Sequence, residues 1–172
     1  EGANRLHRVL RSERGLTYGA SADIQTLKQS GDFMAETDTR TDTTGEALRL
    51  IFDEYAKIRR DRVNERELAD AQAYLAGNFP LTIETPDAIA TQVLNAVFYD
   101  LPLQEIATYR ERVQAVTPDD VQRVARAYLS PDRLSVVLVG NAAAFVPQLK
   151  SLGFNEFEII PIADVDLMAA SL

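Results

Sequence analysis

Arg5-Leu6-His7-Arg8-Val9-Leu10-Arg11-Ser12-Glu13-Arg14-Gly15-Leu16-Thr17-Tyr18-Gly19-Ala20 is the stretch on which the reading of the whole chain turns. It reads as a short amphipathic helix ended by Gly15, then a strand that lifts Tyr18 out at its first turn. Leu6, Val9 and Leu10 make an apolar stripe, while His7 and Arg11, four residues apart, share a neighbouring face. Arg11 is therefore expected to leave the helix close to where Tyr18 enters the sheet.

Outward from this stretch, residues 17–28 alternate, with Tyr18, Ala20, Ala22 and Ile24 on one face and Ser21, Asp23 and Gln25 on the other, as in a half-buried strand. Gln29-Ser30-Gly31-Asp32 supplies a turn. Phe33, Ala35, Thr37 and Thr39 then alternate with Met34, Glu36, Asp38 and Arg40 in a second strand, which predicts an antiparallel hairpin. A helix is expected from the capping box Thr43-Thr44-Gly45-Glu46, with Leu48, Ile51, Phe52, Tyr55 and Ile58 as its stripe. The next starts at Asn64 with Glu67 three on, buries Leu68, Ala71 and Leu75, and stops before Pro80. Pro86 opens another with Ile89, Val93, Leu94 and Val97 inward. Residues 103–116 and 117–129 make two more, divided by the Thr117-Pro118 cap. The apolar, β-branched run 134–139 predicts a central strand covered on both faces, and a short helix through Phe145, Val146 and Leu149 leads by Gly153 to a last strand at 157–160. Strands at both ends with helices between predict an α+β fold, an antiparallel sheet with helices packed on one face.

At 172 residues and 46% apolar content the chain suits one core, hence a single domain over residues 1–172. A net charge of −8 argues against nucleic acid as partner. Arg59, Arg60 and Arg62, interrupted by Asp61, read as a solvated helix C-terminus. No apolar run nears the ~20 residues of a membrane span. With no cysteine, disulfides, thiolate metal sites and a cysteine nucleophile are excluded.

The opening stretch resembles the "RL...LR...GL.Y" signature of the C-terminal, zinc-free domain of the pitrilysin/insulinase-type metallopeptidases, the inverzincins and their processing-peptidase relatives. That signature carries an arginine and, seven residues on, a tyrosine, which here are Arg11 and Tyr18. Residues 67–77, 116–129 and 134–140 resemble later segments of the same domain, in the same order. The resemblance implies the metallopeptidase half-domain roll, in which another strand and a long helix precede the opening helix. Residue 1 then reads as an internal cut: the chain is expected to be a C-terminal inactive domain, part of a longer chain and without its first strand and helix, or with a strand from elsewhere in their place.

Hydrolysis in this family depends on an H-x-x-E-H helix in the N-terminal domain, where histidines and a distant glutamate hold zinc and the motif glutamate activates water. Here the sole histidine, His7, is followed by Arg8, Val9, Leu10 and Arg11, so neither base nor second ligand is present. No metal site and no catalytic residue are expected in this chain, zinc being expected in the catalytic partner domain or subunit. A serine triad has no G-x-S-x-G elbow, and the row Glu36, Asp38, Asp42 reads as a solvated sheet face. Arg11 and Tyr18 are the candidate substrate-binding residues: a guanidinium can hold a carbonyl or carboxylate and a phenol can donate to a developing oxyanion. The resemblance implies that the pair faces the zinc across a peptide-binding chamber. Against it stand an Arg11 paired with Glu13 or a hairpin carboxylate beside a Tyr18 that is merely a sheet residue, a structural or assembly relative of processing-peptidase or respiratory core subunits, and a generic α+β ligand-binding domain. The tail, residues 157–167, resembles exported bacterial members, so a periplasmic parent is expected, with the cytoplasm as alternative.

Overall fold

The computed structural model describes residues 4–165. The opening helix forms where its apolar stripe predicts, but His7–Glu13 is wound as a π-helix. Gly15 ends it at φ +61°, a backbone that side chains rarely adopt. Leu6, Leu10 and Leu16 bury together with Ala47 of α1 (Thr44–Arg60), and Ala20, Ala22 and Ala35 pack on them from the sheet.

That sheet is a hairpin of β1 (Ala20–Thr26) and β2 (Gly31–Thr37), antiparallel with Ala22 opposite Ala35 and Ile24 opposite Phe33. Both strands sit slightly off the expected bounds. The turn falls at residues 27–30, closed by Leu27 N–H donating to Ser30 O at 2.9 Å, and β1 begins two residues after Tyr18. The cause is local: the Thr17 hydroxyl donates to Gly19 O at 2.7 Å and accepts Gly19 N–H at 3.1 Å, a side-chain turn that replaces ladder bonds.

The Thr43 capping box does not form. The Thr43 hydroxyl donates to Arg40 O at 3.0 Å, and the first turn of α1 is capped from far along the chain, Gly45 N–H donating to Gln148 Oε1 at 2.8 Å. Gln148 belongs to α7 (Ala142–Ser151), whose Phe145 and Leu149 build a second core with Leu48. Only glycine allows this approach, because a Cβ on residue 45 would lie 2.8 Å from Gln148 Cβ.

Between them, α2 (Glu65–Asn78) takes its predicted cap, Asn64 Oδ1 accepting Glu67 N–H. Its buried face is rotated from the expected one. Ala71 and Leu75 are exposed and Ala76 is buried, because Gln72 turns inward to donate to the carbonyls of Val113, Gln114 and Val116. α3 (Pro86–Phe98) is capped by Thr85, yet Ile89, Val93, Leu94 and Val97, expected as core, are exposed and only Ala96 is buried. The helix expected over 103–116 is two, α4 (Gln104–Ala107) and α5 (Tyr109–Ala115), broken where the Thr108 hydroxyl donates back to Gln104 O. α6 (Pro118–Tyr128) carries a complete capping box, Thr117 with Asp120, and the Thr117 hydroxyl and Arg123 hold the Asp120 carboxyl down to about 2.

The expected strands at 134–139 and 157–160 are not formed, and the sheet of the described residues has two strands. Leu138 is half-buried in the second core, but Val137 is 83% and Val139 94% exposed. Branching at Cβ favours a pleated, half-buried setting without supplying it. Burial on both faces needs a neighbouring strand and a cover, and the described residues provide neither. The α+β class stands: a helix-rich chain with an antiparallel hairpin against which the opening helix and α1 pack.

Arg5 locks the opening helix to this frame. It clasps the Glu67 carboxylate through Nε and Nη2, the latter at 2.8 Å, and its Nη1 lies 3.9 Å from Glu54. Glu54, only 4% exposed, also accepts from Lys57 Nζ at 2.6 Å. The Arg5 hydrogen bonds push the Glu67 carboxyl below its ordinary range.

Candidate functional site

The opening helix and the loop after it bring Arg11 and Tyr18 together, as their spacing suggests. Arg11 sits in the last turn of the π-helix, a winding that recurs at functional sites. Its guanidinium lies over the Tyr18 ring, Cζ 4.6 Å from the centroid, close enough for a cation–π attraction. Tyr18 is 87% exposed and stands outside the sheet. The pairing of Arg11 with Glu13 is not realised: Glu13 binds Arg8 at 2.6 Å, Glu46 binds Arg14 and Glu67 binds Arg5. Arg11 instead donates from Nη1 to His7 Nε2 at 3.0 Å.

Both side chains border an open groove of about 520 Å³. Asn4 and His7, residues 19–21, and Glu36, Thr37 and Asp38 also line it. The register brings the two strands' residues to it together, since Ser21 pairs with Glu36 and Ala20 with Thr37. Glu36 and Asp38, read from the sequence as part of a solvated row, thus border the same groove as Arg11. Asp42, the third of that row, pairs with Arg40 at 3.4 Å. The groove is lined by both guanidinium donors and carboxylate acceptors, which suits a backbone bearing both carbonyls and N–H groups.

A second hollow, of about 450 Å³, lies on α6 among Asp119, Gln122, Arg123 and Arg126. Its polar groups are committed within the fold: Arg62 to Asp119, Arg123 to Asp120, and Gln122 and Arg126 to the carbonyls of Arg60 and Arg59. It joins α6 to the end of α1.

Zinc does not fit this groove. Among the described residues no three His, Cys, Asp or Glu side chains are placed to share a metal ion. The Nε2 lone pair of the one histidine already accepts from a cationic donor, which would repel a metal there.

The sequence pattern of the peptidase M16 inactive domain matches residues 1–75. An uncharacterised zinc protease of Streptomyces coelicolor is 25% identical over 138 residues, covering 80% of this chain and 30% of that protein. Among solved structures, a peptidase M16 inactive domain from Pseudomonas fluorescens superposes with a TM-score of 0.68 at 28% identity, over 74% of this chain and 30% of that one. A conserved protein from Enterococcus faecalis, at 24% identity and a TM-score of 0.65, has the same fold over 72% of this chain and 28% of its own. The chain is thus similar in sequence over its first 75 residues, and in fold over most of its length, to the inactive domain of the M16 (pitrilysin/insulinase) peptidases. It spans about 30% of the length of these relatives.

Proposed function

We propose that this domain is the substrate-binding half of a zinc-dependent metallopeptidase, with Arg11 and Tyr18 donating to the bound peptide opposite an H-x-x-E-H catalytic domain on another segment or subunit. In this reading residues 1–172 act as one non-catalytic unit and zinc belongs to the partner. The observation that carries it is the guanidinium of Arg11, held by no carboxylate among the described residues and laid on the exposed Tyr18 ring at a groove mouth. A domain serving assembly alone has no use for a cation left without a counter-ion. The zinc protease of Streptomyces coelicolor lends the metal and the proteolysis by analogy, and the resemblance of the tail, of which Asp166 and Leu167 lie outside the described residues, supports a periplasmic setting.

The test uses the complex reconstituted with its catalytic half. Tyr18→Phe and Arg11→Ala each remove donors from the developing oxyanion's side and are expected to slow peptide cleavage ~10²-fold, with the melting temperature lowered by no more than about 4 °C. Unchanged cleavage, or a rate loss that merely tracks unfolding, would hand the domain to the structural and assembly reading.

A further inference from the structure

The groove's cation is fixed by two contacts, the Tyr18 ring and the His7 imidazole. Arginine has donors and no acceptor. The 3.0 Å contact from Arg11 Nη1 therefore requires a lone pair on His7 Nε2, which puts the single ring proton of a neutral imidazole on Nδ1. A protonated ring would set N–H against N–H and one positive charge against another at that distance.

Among the described residues, no other ion pair or hydrogen bond takes over the support of the pair. On the same helix Arg8 is spent on Glu13, and from α1 Glu46 is spent on Arg14. From β2 and the residue just beyond it, Glu36 and Asp38 face the groove without an ion pair to Arg11. Tyr18 supplies a ring face, which limits the height of the guanidinium but not its rotation.

Resting on the reading of Arg11 as a peptide-holding donor, we infer that His7 is its positioning residue, its Nε2 lone pair aiming the guanidinium fork into the groove. One N–H of five is used by His7, and the remaining donors are left for a carbonyl or carboxylate of the peptide. Binding by this domain is then governed in part by a residue that never touches substrate.

The chain's one histidine makes the test direct, since nitrogen NMR of the imidazole reports a single ring. At a pH of about 8 the ring should show the Nδ1–H tautomer, and Arg11→Met should abolish that preference. His7→Ala should shift the Arg11 Nε–H and Tyr18 ring signals together. His7→Gln, whose amide oxygen can replace Nε2 as acceptor, should return them to their wild-type positions. An Nε2–H tautomer in the wild type, Arg11 signals unchanged in His7→Ala, or His7→Gln behaving as His7→Ala would overturn the inference. All of these are read on the unliganded intact chain, so a peptide cleavage rate that ignores Arg11 would sink the peptide role while leaving these signals unchanged.

Discussion

Replacing Arg5 and Arg11 in turn by methionine, which keeps an unbranched apolar stem, should separate the two arginines of the opening motif into different kinds of residue. Arg5 makes two charge-assisted hydrogen bonds to Glu67 and lies 3.9 Å from Glu54, the one carboxylate among the described residues that is almost fully buried. Such bonds are worth ~1.5–3 kcal/mol each at full strength. Arg5 and Glu67 keep 23% and 31% of their side-chain exposure, so solvent screens part of this, and Lys57 continues to serve Glu54. A net loss of about 2–3 kcal/mol is expected, and at ~2–4 °C per kcal/mol for a chain of this size the melting temperature should fall by about 4–12 °C. Arg11→Met forfeits only an exposed cation–π contact and one hydrogen bond, about 1 kcal/mol together. The pH dependence carries the sign. Glu67 is held below its ordinary value of 4.5 by Arg5, so the stability it contributes is complete above 4.5 and is lost as pH falls through its lowered folded-state value. Thermal unfolding by circular dichroism should show the gap between wild type and Arg5→Met constant from neutral pH to about 5 and narrowing below about 4. A loss under ~0.5 kcal/mol, or a gap that does not narrow in acid, would refute the clamp.

Other consequences can be checked by similar means. Gly45→Ala drives a Cβ to 2.8 Å from Gln148 Cβ, and denaturant unfolding should register ~1–3 kcal/mol of overpacking; an unchanged midpoint would mean that α7 gives way freely. Thr117→Ala removes the cap of α6 and should cost about 1 kcal/mol, with Thr117→Ser recovering most of it. Metal analysis after dialysis should find no stoichiometric zinc held by this chain, the expected result given the committed lone pair of His7; one tightly bound zinc per chain would require rebuilding the site.

Local chemistry was legible from the sequence wherever a short stretch decides its own fate. The opening helix with its Gly15 stop, the Asn64 and Thr117 caps, the start of α3 at Pro86 and the hairpin all depend on residues within a few positions of one another. The convergence of Arg11 and Tyr18 was readable for the same reason. What spacing could not show was the partner across the chain. Gln148 capping α1 from 103 residues away and Gln72 turning inward and rotating the face of α2 are tertiary choices. The apolar faces of α3 and of residues 134–139 have the composition of core but not its surroundings, because hydrophobicity records what a segment can bury, not what is there to bury it. His7, read from the sequence as a helix residue and not a zinc ligand, contacts Arg11 one turn on, and its proposed positioning role rests on that contact.

Residues 134–139 also bear on how the protein behaves at concentration. A β-branched, uncharged hexapeptide with Val137 and Val139 standing in water, and no ladder partner among the described residues, is an open template for intermolecular strand pairing. Self-association should therefore begin here rather than at the polar groove, and a lysine at Val137, pointing into solvent and leaving the half-buried Leu138 in place, is the gatekeeper that would keep the chain dispersed without disturbing the core.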